Sequence, residues 1–143
     1  MTDPTMNSRA AELAAHYGMD TGPTAAQWQR VLSGEEGAPI TLINLFKLRP
    51  VAREEGGASG MQAMMRYAAV SGPTLEKVGG RFVLMGSFAG TFMGEEEDWD
   101  LVVIASYPDR AALLALCDDE SYRAAWAHRV AAVERQRVGI AGG

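Results

Sequence analysis

Ile40-Thr41-Leu42-Ile43-Asn44-Leu45-Phe46-Lys47-Leu48 is the stretch on which the fold turns. It is rich in β-formers and mostly apolar on both faces, as a central strand covered on both sides requires. Pro50 cannot donate to a sheet ladder and helps to end the strand. Downstream, Arg81 to Phe88 and Leu101 to Tyr107 are two more β-prone runs, separated by a glycine-containing acidic loop from Gly90 to Asp100, and read as antiparallel neighbours. Val138 to Ala141 reads as a short closing strand.

Helical patterns fill the intervals. Met61, Met64, Met65, Ala68, Ala69 and Gly72 recur at helical spacing, which gives one apolar face, with Gln62 and Arg66 on the other. Gly72-Pro73 predicts an interruption, followed by a short helix from Pro73 to Val78 that Gly79-Gly80 stops. Asp109 caps a helix over Arg110 to Cys117, and Asp118 to Ser121 caps a longer one in which Tyr122, Trp126, Arg129, Val130 and Val133 share a face. Upstream of the first strand, Ser8 to Tyr17 is an Ala-rich helix closed by Gly18, expected as an accessory arm. A second helix opens on a Thr24/Gln27 capping box and ends near Gly34. The order β-α-β-β-α, with its closing strand, is the split β-α-β pattern of a ferredoxin-like α+β domain. The expected organisation is an N-terminal helical extension over 1–38 and the sheet domain over 39–143. The Glu54 to Gly60 segment has the composition of a mobile loop, a candidate lid or dimer contact.

At 143 residues the chain fits one domain with a sizeable core. A net charge of −5 gives nucleic acid or an anionic membrane no electrostatic reason to bind, so neither is an expected partner. The one cysteine, Cys117, lies in an apolar run and fits a reducing compartment. With no signal-peptide pattern and no apolar run long enough to span a bilayer, the expectation is a cytoplasmic protein.

Few residues announce chemistry. Asn44 interrupts an apolar strand face shared with Leu42, Phe46 and Leu48; it either lines a pocket and orients a ligand or is satisfied by backbone. Lys47 and Arg49 sit near the strand end, at the rim of such a pocket or simply in solvent. Tyr67 flanks the methionine stripe, and its hydroxyl can serve as an acid or a donor. His128, beside Arg129, is a conceivable general base with no telling partner in sequence. Glu95, Glu96, Glu97, Asp98 and Asp100 surround Trp99 without the spacing of a calcium loop, and two distant histidines with one cysteine make no zinc pattern, so no metal is assigned. No dinucleotide, P-loop or nucleophile-elbow motif is present, and no cofactor is expected.

Leu42-Ile43-Asn44-Leu45-Phe46-Lys47-Leu48-Arg49, Arg66-Tyr67-Ala68, Val78-Gly79-Gly80-Arg81 and Asp119-Glu120-Ser121-Tyr122, in that order, resemble the domain-of-unknown-function family 1330, grouped with the dimeric α+β barrels. The likeness covers Pro39 to Val138. It implies a ferredoxin-like protomer that pairs sheet to sheet with a second copy, a homodimer, and it implies no particular reaction. Two functional expectations follow. One is a cofactor-free enzyme acting on a small, partly apolar acid or carbonyl compound, in a pocket between sheet and helices lined by Asn44, Phe46, Tyr67 and Met65, with Arg49 or Arg81 holding the anionic end. The other is a non-catalytic dimer that binds a metabolite or a protein through the Trp99 loop and the Gly56 to Gly60 loop.

Overall fold

The computed structural model describes residues 4–18 and 21–142. The elements run α1 (Pro4–Tyr17), α2 (Ala25–Leu32), β1 (Ile40–Leu48), α3 (Gly60–Lys77), β2 (Arg81–Ser87), β3 (Leu101–Tyr107), α4 (Arg110–Asp118), α5 (Glu120–Ala132) and β4 (Val133–Gly142). The strands form one sheet in the order β2-β3-β1-β4, every neighbouring pair antiparallel. The chain is thus an α+β protein with the helices between strands on one face of the sheet. No helix among the described residues is long and apolar enough to cross a membrane.

β1 holds the centre because alternate side chains serve opposite faces. Asn44, Phe46 and Leu48 are buried against the helices. On the other face Ile43 sits opposite Ile104 and Leu45 opposite Val102, with Leu84 beyond Ile104 on β2; β1 and β3 are half-buried there and Leu84 is exposed. That face carries a partly exposed apolar strip, bordered by Thr41 and Ser106, which are buried and share a hydrogen bond at 3.1 Å.

Three elements differ from the sequence expectation. α3 runs unbroken through Pro73. Proline there forfeits one helical hydrogen bond, but Ser71, Thr74 and Leu75 bury around it and the Thr74 hydroxyl donates to the Val70 carbonyl at 2.7 Å. The buried face of α3 is Ala63, Met64, Tyr67, Ser71 and Leu75, while Met61 and Met65 are exposed, so the methionine stripe lies askew of the core. Finally, α5 stops at Ala132, and Val133 begins a ten-residue β4 rather than continuing the helix. Its Glu, Arg, Gln and Gly residues have little β-propensity, and pairing along β1 from Ile40 to Leu48 decides its state instead.

The N-terminal helices are not an accessory arm. Ala10, Leu13 and Tyr17 are buried in the same core as Phe46, Leu113 and Trp126. The Tyr17 hydroxyl donates to the Cys117 carbonyl at 2.6 Å, and Trp126 Nε1 donates to the Tyr17 carbonyl at 3.2 Å. α2 begins at the capping box Thr24/Gln27, and a second box, Ser59/Gln62, starts α3.

The segment between β1 and α3 is pinned rather than lid-like. Ala52 N–H donates to the Ala58 carbonyl, Arg53 N–H to Ala131, and Arg49 N–H to Ala132. Gly60 is required: a Cβ there would collide with the Arg49 carbonyl oxygen.

Candidate functional site

Between the sheet and the helices lies a cavity of about 740 Å³, within the size range of small-molecule sites. Its walls are largely apolar and aromatic. β1 contributes Asn44 and Phe46, α3 contributes Met65 and Tyr67, and α5 contributes Tyr122, Trp126 and Arg129. Tyr17 and Trp28 from the N-terminal helices close another side, so the cavity needs both parts of the chain.

Arg129 dominates the electrostatics. It is 8% exposed, and its guanidinium carbon lies 4.7 Å from the ring centres of both Phe46 and Trp126. Its Nε and Nη2 donate to Gln136 Oε1 at 3.1 and 2.8 Å, Nη1 donates to the Tyr67 hydroxyl at 3.2 Å, and Nη2 reaches Asn44 Oδ1 at 3.5 Å. Every one of these acceptors is neutral. Among the described residues no carboxylate forms an ion pair with it. Burial works against its charge and the surrounding phenols of Tyr67 and Tyr122 work for it; the net shift is upward, so the group stays cationic.

The phenols form a short relay. Tyr67 and Tyr122 hydroxyls are 2.6 Å apart. Arg129 donates to the Tyr67 oxygen and either phenol can donate across the pair, so one of the two hydroxyl hydrogens has no acceptor among the described residues. Burial, reinforced by Tyr67, raises the Tyr122 phenol well above its ordinary range, and burial likewise raises Tyr107. At neutral pH both are therefore donors and not bases. Cys117 also lines the cavity, but burial pushes its thiol up to about 12, which removes it as a nucleophile.

Of the residues that sequence reasoning picked out, Asn44, Phe46, Met65 and Tyr67 line this cavity together. Asn44 is held by its own backbone surroundings, with Nδ2 donating to the Val103 carbonyl at 2.9 Å, while its oxygen faces Arg129. The others lie elsewhere. His128 points away and meets Glu54 at 2.9 Å, a carboxylate also held by Arg66 at 2.8 Å. Arg49 lies just past the end of β1, half-buried, and Arg81 is exposed at the start of β2; neither lines the cavity, so neither can hold an anion in it. Lys47 pairs with Asp98 at 3.1 Å and Asp100 at 3.6 Å. Arg137 pairs with Glu97 at 3.0 Å, and Arg135 donates to the Asp98 carbonyl and stacks 4.4 Å from the Trp99 ring. Trp99 therefore anchors the acidic loop to β4, and cations of the chain itself meet three of that loop's carboxylates. The residues that sequence reasoning missed are Arg129 and Gln136. For Arg129 a signal existed: it is the one charge on the apolar stripe Tyr122, Trp126, Val130, where a solvated cation has no place.

The family model described as Domain of unknown function (DUF1330) matches residues 58–142. The chain belongs to this family. The DUF1330 segment carries Tyr67, Tyr122, Arg129 and Gln136, whereas Asn44, Phe46, Tyr17 and Trp28 precede it. Among solved structures, the chain is 36% identical to RPA0582, a protein of unknown function from Rhodopseudomonas palustris, with a TM-score of 0.79 over 85% of this chain and 95% of that one. The methylated RPA0582 protein matches at 35% identity and the same TM-score, over 85% of this chain and 93% of that one. No curated protein matches the chain.

Proposed function

We propose that this protein binds a small, partly apolar carboxylic acid in the cavity between sheet and helices, with Arg129 holding the acid group. The observation that carries the reading is a buried cation whose described partners are all neutral, set in an otherwise apolar cavity. Desolvating an ion costs several kcal/mol, and neutral dipoles and rings recover only part of it. A bound carboxylate supplies the missing charge. Lys47, Arg49 and Arg81 have no part in this reading; Asn44 and Tyr67 position the guanidinium, and Phe46 and Met65 meet the apolar body of the ligand. The protomer is read as ferredoxin-like and as one half of a dimeric α+β barrel. The support is the strand order β2-β3-β1-β4 with crossover helices on one face, the partly exposed apolar strip on the face opposite, and the solvent-exposed Phe92 and Met93, 98% and 84% exposed, beside it in sequence.

A second reading, cofactor-free catalysis on the carbonyl of such an acid, is favoured by the Tyr67–Tyr122 pair. Two neutral phenols next to a cation can polarise a carbonyl or stabilise an enolate without any metal. The test is native mass spectrometry of the protein purified from its own host, followed by calorimetry with a panel of small aliphatic and aromatic acids and their methyl esters. A dimer that retains an acid, prefers acids over esters, and loses both properties in Arg129→Met supports the proposal. Equal affinity for acids and esters, or no response to Arg129→Met, refutes it.

A further inference from the structure

Gln136 occupies the edge of Arg129 that a ligand's acid group needs. Its Oε1 accepts from both Nε and Nη2, at 3.1 and 2.8 Å, which is the edge of a guanidinium that carboxylates pair with. Phe46 and Trp126 each sit 4.7 Å from the guanidinium carbon, and Tyr67 and Asn44 lie on its Nη1 and Nη2, so along the Nε–Nη2 edge an incoming carboxylate competes chiefly with Gln136. The amide orientation is fixed independently: Nε2 donates to the Thr21 carbonyl at 2.9 Å, and a flipped amide would press NH₂ against the cation. Gln136 thus reproduces the geometry of a carboxylate without its charge.

We infer that Gln136 is a displaceable stand-in for the ligand's carboxylate, and that the ligand is a planar monocarboxylate with an aromatic or similarly flat apolar body. This rests on the acid-binding reading above. Displacement costs Gln136 its two acceptor bonds from Arg129 and its donor bond to the Thr21 carbonyl, and because the side chain is only half-buried, water can take up both ends of its amide. The charge of the ligand is set by the count of cations. Arg129 is the buried one; Arg30 is exposed and Arg137 is engaged by Glu97, so a second negative charge on the ligand would lie in the apolar cavity unpaired. The flat body follows from the walls, where Tyr17, Trp28, Phe82 and Trp126 present ring surfaces to the cavity.

The test uses the full chain, phenylacetate as the probe, and phenylacetamide as its neutral counterpart. Gln136→Glu seats a permanent carboxylate on Arg129. It is expected to weaken phenylacetate binding at least about 30-fold and to raise the melting temperature of the ligand-free protein. Gln136→Met, which empties the edge, is expected to bind phenylacetate two- to tenfold more tightly, and phenylacetamide is expected to bind no form well. If both variants bind phenylacetate like the parent while Arg129→Met loses it, the stand-in role is overturned and the acid-binding reading survives. If no form binds phenylacetate, the melting temperature decides: a rise in Gln136→Glu supports the carboxylate seat, and no rise overturns it together with the charge argument beneath it.

Discussion

Replacing Tyr67 by phenylalanine tests the relay at the heart of the site. The Tyr67 oxygen accepts from Arg129 Nη1 at 3.2 Å and lies 2.6 Å from the Tyr122 hydroxyl. Removing it orphans a charged donor and cuts Tyr122 off from its partner, both in buried surroundings, and each unsatisfied group costs about 1–3 kcal/mol. Tyr67→Phe is therefore expected to destabilise by about 2–4 kcal/mol. Tyr122→Phe leaves Tyr67 accepting from Arg129 and removes one buried hydrogen bond between neutral groups, for about 1 kcal/mol. In the double variant no phenol hydroxyl remains and only the Arg129 N–H lacks an acceptor, so its cost does not exceed that of Tyr67→Phe alone. The pair should show a coupling of at least about 1 kcal/mol, read from urea unfolding of the four proteins. Additivity within about 0.5 kcal/mol would refute the relay, and would leave the tyrosines as ring packing alone.

Leu13→Ala, at a fully buried position of α1, is expected to cost about 2–5 kcal/mol, and a loss below about 0.5 kcal/mol in denaturant unfolding would restore α1 to the status of an accessory arm. With its thiol raised to about 12 by burial, Cys117 should resist a disulfide reagent at pH 8 in the folded protein and react at once in urea; rapid labelling of the native state would contradict the packing of Tyr17 and Arg123 over it. Acid stability follows from Glu12, Glu54 and Asp119, lowered by Arg123, by His128, and by the Tyr122 backbone N–H respectively. Each is depressed in the folded state, so its contribution is complete above its ordinary value of 4.5, 4.5 or 3.8 and is lost as pH falls through the depressed one. The urea midpoint should hold from pH 7 to about 5 and drop below about 4.5, with a shallower drop in Glu54→Gln.

Local chemistry made much of this fold legible. β1 and β3 have the predicted bounds because their β-branched and aromatic density leaves no competing state, and Thr24 with Gln27 fixes the start of α2 through two reciprocal hydrogen bonds. β4 is legible only at its apolar end, Val138 to Ala141: Glu134 to Arg137 carry no strand pattern, and only pairing with β1 makes them a strand. The break predicted at Pro73 failed because one lost backbone bond is small beside the burial of Leu75 and its neighbours. For the site, Asn44, Phe46, Met65 and Tyr67 could be gathered from strand and helix faces, since a face is a local property. Arg49 and Arg81 were chosen as anion holders from their charge and their nearness to strand ends. Which cation is buried depends on how α5 docks against β1 and α3, and the spacing of residues does not encode that.

The division of the cavity between parts of the chain bears on what varies within DUF1330. Arg129, to which the proposal gives the acid group, its neighbours Tyr67 and Tyr122, and Gln136, the side chain the acid would displace, all fall within the matched residues 58–142. The wall that the proposal gives to the body of the ligand is shared: Phe46 on β1 and Tyr17 and Trp28 on α1 and α2 lie outside that match, while Met65, Phe82 and Trp126 lie within it. On the proposed reading, charge recognition rests on the matched segment, whereas shape recognition also draws on the segment before it. A change at Trp28 should then alter which acid fits while leaving the preference for acids over neutral analogues intact, and a change at Arg129 should do the reverse. Trp28→Ala is expected to weaken phenylacetate binding and to admit bulkier acids, with the ratio of phenylacetate to phenylacetamide affinity unchanged within about threefold. A collapse of that ratio in Trp28→Ala would show that charge and shape are read by one set of contacts, and the two-segment account of the site would fall.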